Sequence, residues 1–184
     1  MSTDLPHGAA CALFDTAIGR CGIAWGPRGI CAFQLPEPTD AGTLRRMFRR
    51  GLPMPQAVPP PEVQDAIDRI VALLQGQPVD LRDVVVDYEG IAPFHRRVYE
   101  ISREILAGQT RTYGEIAAEL GDPSASRAVG QALGANPFAV IVPCHRVLAA
   151  GGRSGGFSAG GGVSTKLRIL LIERAQIGNE PGLF

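Results

Sequence analysis

The pattern of apolar residues changes once along this 184-residue chain, and that change limits the fold more than any other feature. Residues 12–35, ALFDTAIGRCGIAWGPRGICAFQL, hold short β-prone runs, with Gly19 at one turn and Gly26-Pro27-Arg28-Gly29 at the next. Runs of this kind predict a meander of short strands. From residue 90 onward the apolar residues recur at helical spacing instead, and the segments carry helix start and stop signals.

Between these regions, DAGTLRRMFRRG reads as a short helix. Its Arg45, Arg46, Arg49 and Arg50 suit either phosphate contact or a solvated helix face, and the solvated face is the expectation. Pro59-Pro60-Pro61 leads into EVQDAIDRIVALLQG, where Val63, Ala66, Ile67, Ile70, Val71 and Leu74 form a helical stripe that stops at Gly76. VDLRDVVVDYEG predicts one more strand over Val84–Val86. Residues 1–89 are thus an α+β unit without a catalytic cluster, and residues 90–184 a mostly helical one.

In the second unit, Phe94, Val98, Ile101 and Ile105 predict a helix ending at Gly108. Thr112-Tyr113-Gly114-Glu115 has capping-box form and opens GEIAAELG. Asp122-Pro123 opens SASRAVGQALG, which stops before Asn136-Pro137. Two short helices joined by a tight turn have helix-turn-helix form, although many helix pairs share it. The second helix begins with the small residues Ser124, Ala125, Ser126, Ala128 and Gly130 around one long cation, Arg127. That arrangement suits close packing on another helix, or approach to DNA with the arginine entering a groove.

Hydrophobic residues make up 45% of the chain and charged residues 20%, which excludes a disordered chain. The formal charge is zero, but residues 1–89 carry eight basic and eleven acidic side chains and residues 90–184 ten and seven. The halves are therefore −3 and +3, so an anionic partner meets the second more readily. No run approaches the length of a membrane span, and MSTDLPHGAACALF lacks the basic start of a signal peptide. The expectation is a cytoplasmic protein, with no membrane partner and with Cys11, Cys21, Cys31 and Cys144 reduced. None of the four lies in a C-x-x-C pair, so a zinc cage is unsupported; Cys21 and Cys31 read as buried small hydrophobes. Lys166 is the only lysine among eighteen basic residues, which reads as genome composition.

The candidate reactive centre follows the apolar run FAVIV: Pro143-Cys144-His145-Arg146-Val147. Pro143 fixes its own φ and biases Val142 toward an extended conformation, presenting Cys144 on a rigid turn. A nucleophilic cysteine needs nearby cations and a proton acceptor, and His145 and Arg146 are groups of those kinds. Neighbours on an extended chain point apart, so His145 serves Cys144 only if the backbone turns there or a water bridges them. A Cys-His dipeptide alone is as compatible with an incidental pair as with catalysis.

Taken in order, Tyr113, Arg127, Asn136-Pro137, Pro143-Cys144-His145-Arg146-Val147, a glycine-rich segment and Lys166…Glu173 resemble the O6-alkylguanine-DNA alkyltransferases, also called methylated-DNA–protein-cysteine methyltransferases. The resemblance is strong over residues 90–174 and weaker before them. It implies a small ribonuclease-H-like domain followed by a winged-helix-like domain carrying the helix-turn-helix. It also implies DNA repair by single-turnover, irreversible transfer of an alkyl group to Cys144 from O6 of guanine, and also from O4 of thymine. By the same resemblance, His145 deprotonates Cys144 through a water, Glu173 orients His145, and Tyr113 protonates the departing base. Arg127 fills the gap left by a base flipped out of the minor groove, with Ser124, Ala125, Ser126, Ala128 and Gly130 close to the duplex. Asn136 ties the recognition helix to the active-site turn, and Val147, Phe157 and Ser158 contact the flipped base. Phe157 stands where many members have tyrosine, and the stretch from Ser158 to Lys166 is longer than the common pattern. The resemblance implies a monomer acting on double-stranded DNA carrying O6-alkylguanine, with no cofactor and no metal.

Overall fold

The computed structural model describes residues 5–153 and 162–176. Strands β1 (Ala10–Thr16), β2 (Gly19–Gly26) and β3 (Gly29–Gln34) form an antiparallel meander in that order. β1 meets β2 in the register Ala10↔Trp25 through Thr16↔Gly19, and a bulge between Ala24 and Trp25 shifts the pairing of β2 with β3. Both hairpins need a glycine: Gly19 and Gly29 sit at φ +124° and +129°, and a Cβ on Gly29 would lie 2.8 Å from the Val85 carbonyl oxygen. The outer edge of β1 is covered by the loop before α2, through Cys11 N–H to Pro55 O and Ala57 N–H to Cys11 O.

Helix α1 (Asp40–Met47) packs on β2 and β3 and starts at Thr39, whose hydroxyl accepts the Gly42 N–H. Helix α2 (Pro61–Leu74) starts with proline in its first turn and packs on β1, burying Val63, Ala66, Ile67, Ile70, Leu73 and Leu74. The predicted strand at Val84–Val86 shrinks to a single bridge, Ile30↔Val86. Val85 O and the Asp87 N–H bond Ile30 on one side, while the Arg103 guanidinium donates to the carbonyls of Leu81, Arg82 and Val84, at 3.0, 2.9 and 2.6 Å, and holds the approach to the segment in a turn.

Helix α3 (Pro93–Arg103) stops short of the expected end, and Ile105 is buried in the turn that follows. Its most buried large side chain is Tyr99, absent from the predicted stripe, whose hydroxyl donates to Ala132 O at 2.7 Å. Strand β4 (Arg111–Thr112) leads directly into α4 (Tyr113–Glu119) and pairs in parallel with β5 (Val147–Leu148). A three-residue 3-10 turn, Pro123–Ala125, precedes α5 (Ser126–Gly134), so the second helix of the pair begins three residues later than its proline signals. Helix α6 is Gly162–Ile172. Ile23 and Phe33 of the sheet share one core with Tyr99, Phe138 and Val142. The sheet also grips the segment before the reactive centre directly: Phe33 N–H donates to Pro137 O at 2.8 Å, and Phe33 bridges Phe138.

Candidate active site

The turn that carries Cys144 is built from its own sequence. Asn136 accepts the Phe138 N–H on its side-chain oxygen and donates its amide to Val142 O, both at 2.9 Å, closing FAVIV into a loop. Inside that loop Val140 has φ +71°, an unusual conformation for a β-branched residue. Pro143 then stands at φ −79°, and Cys144–Arg146 form one 3-10 turn. The backbone therefore turns at the Cys-His pair, as a working relationship between them requires.

His145 is 1% exposed, and its Nε2 lies 3.0 Å from Oε1 of Glu173, just beyond the end of α6. The same carboxylate receives Arg146 through two bonds, Nε to Oε2 at 3.0 Å and Nη2 to Oε1 at 2.7 Å. Arg146 Nη1 also donates to Ile105 O at 2.6 Å, which joins the reactive turn to the end of α3. The sequence placed Arg146 as a cation for Cys144; the structure turns it toward Glu173. The cation that acts on the thiol is Lys166, fully buried in α6, with Nζ donating to Val147 O at 2.6 Å. Its signals in the sequence were its being the only lysine in an arginine-rich chain and its place, with Glu173, in the order of residues that carries the resemblance.

Burial sets the charge states. It raises the Cys144 thiol above its ordinary value, opposed by a hydrogen bond from Asn136 and by the charge of Lys166. Burial also lowers His145, against the pull of Glu173, so the imidazole rests neutral and able to accept a proton. For Glu173 burial pushes upward, but His145 and Arg146 outweigh it and bring the carboxyl down to about 2. Lys166 falls to about 8 through burial, with Cys144 pulling the other way. Burial, with Cys144 nearby, raises Tyr113, which keeps its hydroxyl proton.

Tyr113 owes its place to the capping box: Thr112 Oγ1 accepts the Glu115 N–H at 3.1 Å, and the Glu115 carboxylate accepts the Thr112 N–H at 2.6 Å. Gly130 of α5 faces the Tyr113 ring, and a Cβ there would lie 3.9 Å from it, an ordinary contact. Tyr113, Ser126, Arg127, Gly130, Cys144 and Ala149 are among the residues lining a cavity of about 790 Å³. That is ample for a purine base. Arg127 is exposed, while Ser124 gives its hydroxyl to the capping Asp122 at 2.5 Å. Val147 is fully buried in β5 and does not line this cavity. Phe157 and Ser158 lie outside the described residues.

Among the described residues no three His, Cys, Asp or Glu side chains come together in a metal-binding group. No helix of the described residues is long and apolar enough to cross a membrane. Cys11 and Cys21 are buried, and Cys31 is half-buried.

Residues 93–175 match the family described as 6-O-methylguanine DNA methyltransferase, DNA binding domain. A methylated-DNA–protein-cysteine methyltransferase of Methanothermobacter thermautotrophicus is 34% identical over 152 residues, 83% of this chain and 78% of that protein. The chain belongs to this family. The methyltransferase of the same name from Mycolicibacterium paratuberculosis is 43% identical over 109 residues, 59% of this chain and 64% of that relative, just under two thirds of its length. The crystal structure of Mycobacterium tuberculosis OGT in complex with DNA superposes with a TM-score of 0.71 at 34% identity, covering 90% of this chain and 92% of that one. The mixed architecture, a small antiparallel sheet with helices, is that of this structural neighbour.

Proposed function

We propose that this protein repairs duplex DNA by moving an alkyl group from O6 of guanine to Sγ of its own Cys144, once per molecule. The observation that carries this reading is the buried Glu173–His145–Cys144 arrangement at a base-sized cavity lined by Arg127. Glu173 holds His145 by Nε2, and the neutral ring takes the Cys144 proton through a water. The thiolate attacks the alkyl carbon, the sulfur–carbon bond forms and the carbon–O6 bond breaks. The departing guanine takes a proton from the Tyr113 hydroxyl. Lys166 stabilises the thiolate that the dry site otherwise disfavours. The product is a thioether, whose sulfur–carbon bond is a poor one to cleave, so the protein is consumed. No step calls for a metal or cofactor.

The target atom is out of reach in a stacked duplex, so the base is flipped into the cavity while Arg127 occupies the gap. The small residues Ser124, Ala125, Ser126, Ala128 and Gly130 allow α5 and the turn before it to lie close in the minor groove, which makes binding largely indifferent to sequence. Ser158 and Phe157 belong to the glycine-rich segment that meets the flipped base, with Ser158 on O6. Asn136 couples α5 to the Cys144 turn. O4-alkylthymine is a second substrate of the same site. Residues 1–89 form a ribonuclease-H-like unit that supports the site, and residues 90–184 a winged-helix-like unit with the helix-turn-helix. The protein works as a cytoplasmic monomer.

The test is intact mass and a peptide map after mixing protein with an equal amount of duplex carrying one O6-methylguanine. One methyl group on the Cys144 peptide, saturating at one per protein, is the expected result. Binding without a mass change overturns the transfer.

A further inference from the structure

The first half of the chain carries a net −3, yet four of its eight basic residues fall within six positions, Arg45, Arg46, Arg49 and Arg50. Arg45, Arg49 and Arg50 are exposed. Among the described residues Arg46 faces Glu37 at 3.3 Å, and no carboxylate lies within ion-pair distance of the other three. The crowding is felt within the cluster: besides burial, Arg50 and Arg46 each push the Arg49 guanidinium below its ordinary value. Three exposed guanidinium groups without a carboxylate in ion-pair range among the described residues, beside the paired Arg46, leave a positive patch.

Its position gives the patch a partner. The cluster follows from α1, but it abuts the far end of α5. Arg50 Nη1 reaches Ala135 O at 3.4 Å, one residue past that helix. A narrow cleft of about 80 Å³ has Arg46, Arg49 and Arg50 on one side and Leu133, Ala135 and Asn136 on the other. The patch is thus continuous with the helix that the duplex reading places in the minor groove. Ala135 lies eight residues beyond Arg127, which puts the patch about 12 Å along the helix from that arginine.

We propose that Arg45, Arg49 and Arg50 form a second phosphate-binding surface, contributed by the N-terminal half, that clamps the backbone of the same duplex flanking the flipped base. The inference rests on the duplex-DNA reading above and extends it beyond the helix-turn-helix. Arginine suits the task, since its planar fork pairs with two phosphate oxygens at once. Arg50 adds a second effect, neutralising the negative end of the α5 dipole where that end nears the backbone. The surface reads no sequence; it fixes position on the duplex.

The experiment is the salt dependence of duplex binding by the full chain, followed by fluorescence anisotropy. Wild type is compared with the double variant Arg45→Gln/Arg49→Gln and with the triple variant that adds Arg50→Gln. The double variant leaves the Arg50–Ala135 contact in place, so it guards against a disturbed α5. Each lost phosphate contact lowers the slope of log K against log salt by about 0.9. A slope reduced by at least one such step in the double variant, with further reduction in the triple, is the expected result. An unchanged slope in both overturns the surface. Transfer from free O6-benzylguanine is measured alongside and is expected to match wild type. If wild type itself transfers nothing from that compound while the slope still falls, the phosphate surface stands and the alkyl-transfer reading fails.

Discussion

Cys21 and Cys144 are both buried, and their surroundings make them different chemical objects. Cys21 sits in the sheet with only neutral polar neighbours, the Thr16 hydroxyl at 3.7 Å and the Gly19 carbonyl at 4.0 Å, and burial drives its thiol up to about 12. Cys144 meets the same upward push, but Asn136 and Lys166 oppose it and His145 follows it in the chain. Burial alone makes a thiol inert; burial beside a fixed cation and a neutral imidazole makes one that ionises when a substrate calls for it. The two halves of the molecule differ in the same way. The first contributes apolar side chains of the sheet and α2 to the common core. The second holds His145, Arg146, Glu173 and Lys166 inside, an arrangement costly to build and justified by chemistry.

The sharpest way to break this contrast is to exchange the cysteines' fates. Cys144→Ala is expected to abolish alkyl transfer while leaving duplex affinity intact, read by intact mass and anisotropy; any methylated protein removes Cys144 as acceptor. Next in size is Glu173→Gln, which leaves Arg146 and His145 without their buried anion. It is expected to lower stability by about 3 kcal/mol in urea unfolding and to slow transfer strongly. Adding His145→Ala is expected to cost little more transfer than the worse single change, since the two act as a unit. Additive losses would show that they act separately.

The pH dependence of that stability has a definite sign. The folded Glu173 carboxyl lies at about 2 against an ordinary 4.5, so the unfolded chain binds the proton more readily. The stabilisation is present above pH 4.5 and disappears as pH falls toward 2. Acid unfolding of wild type followed by circular dichroism, with Glu173→Gln as reference, measures the difference between them. A reference variant that loses stability over the same window by the same amount would assign the effect to other groups.

Smaller effects refine the comparison. Arg127→Ala is expected to reduce repair of duplex about tenfold, with transfer from free O6-benzylguanine nearly unchanged; equal losses on both would count against base flipping. Lys166→Met is expected to shift the pH profile of benzylguanine transfer to the alkaline side and slow it about tenfold at neutral pH, the worth of one pKa unit. A lower rate with an unshifted profile would reduce the lysine to packing. Smallest of all, Cys21→Ala should leave transfer untouched and cost about 1 kcal/mol of stability.

Much of the fold was legible because its signals are local. The meander follows from β-prone runs cut by Gly19 and Gly29, and α4 from a capping box complete within four residues. The failures have a common cause as well. Val84–Val86 has strand composition, but only Val86 bridges β3, while Arg103, about twenty residues later, binds the carbonyls of Leu81, Arg82 and Val84. The β4–β5 pair consists of two-residue strands 36 positions apart, too short to show a period. The Val140 conformation arises from Asn136 closing the loop around it, not from any turn residue in FAVIV.

The sequence by itself determined which groups this protein can use. It supplied a cysteine after a proline, a histidine beside it, a tyrosine at a helix start and an arginine among small residues, because these depend on residue type and short-range backbone preference. Tertiary structure alone decided which charges meet. Glu173 reaches His145 from 28 residues away, Arg146 turns to the carboxylate instead of the thiol, and Lys166 comes from α6 to a buried position 22 residues from Cys144. Coulombic and desolvation energies depend on distance in space and on excluded water, and neither is written in the order of the residues.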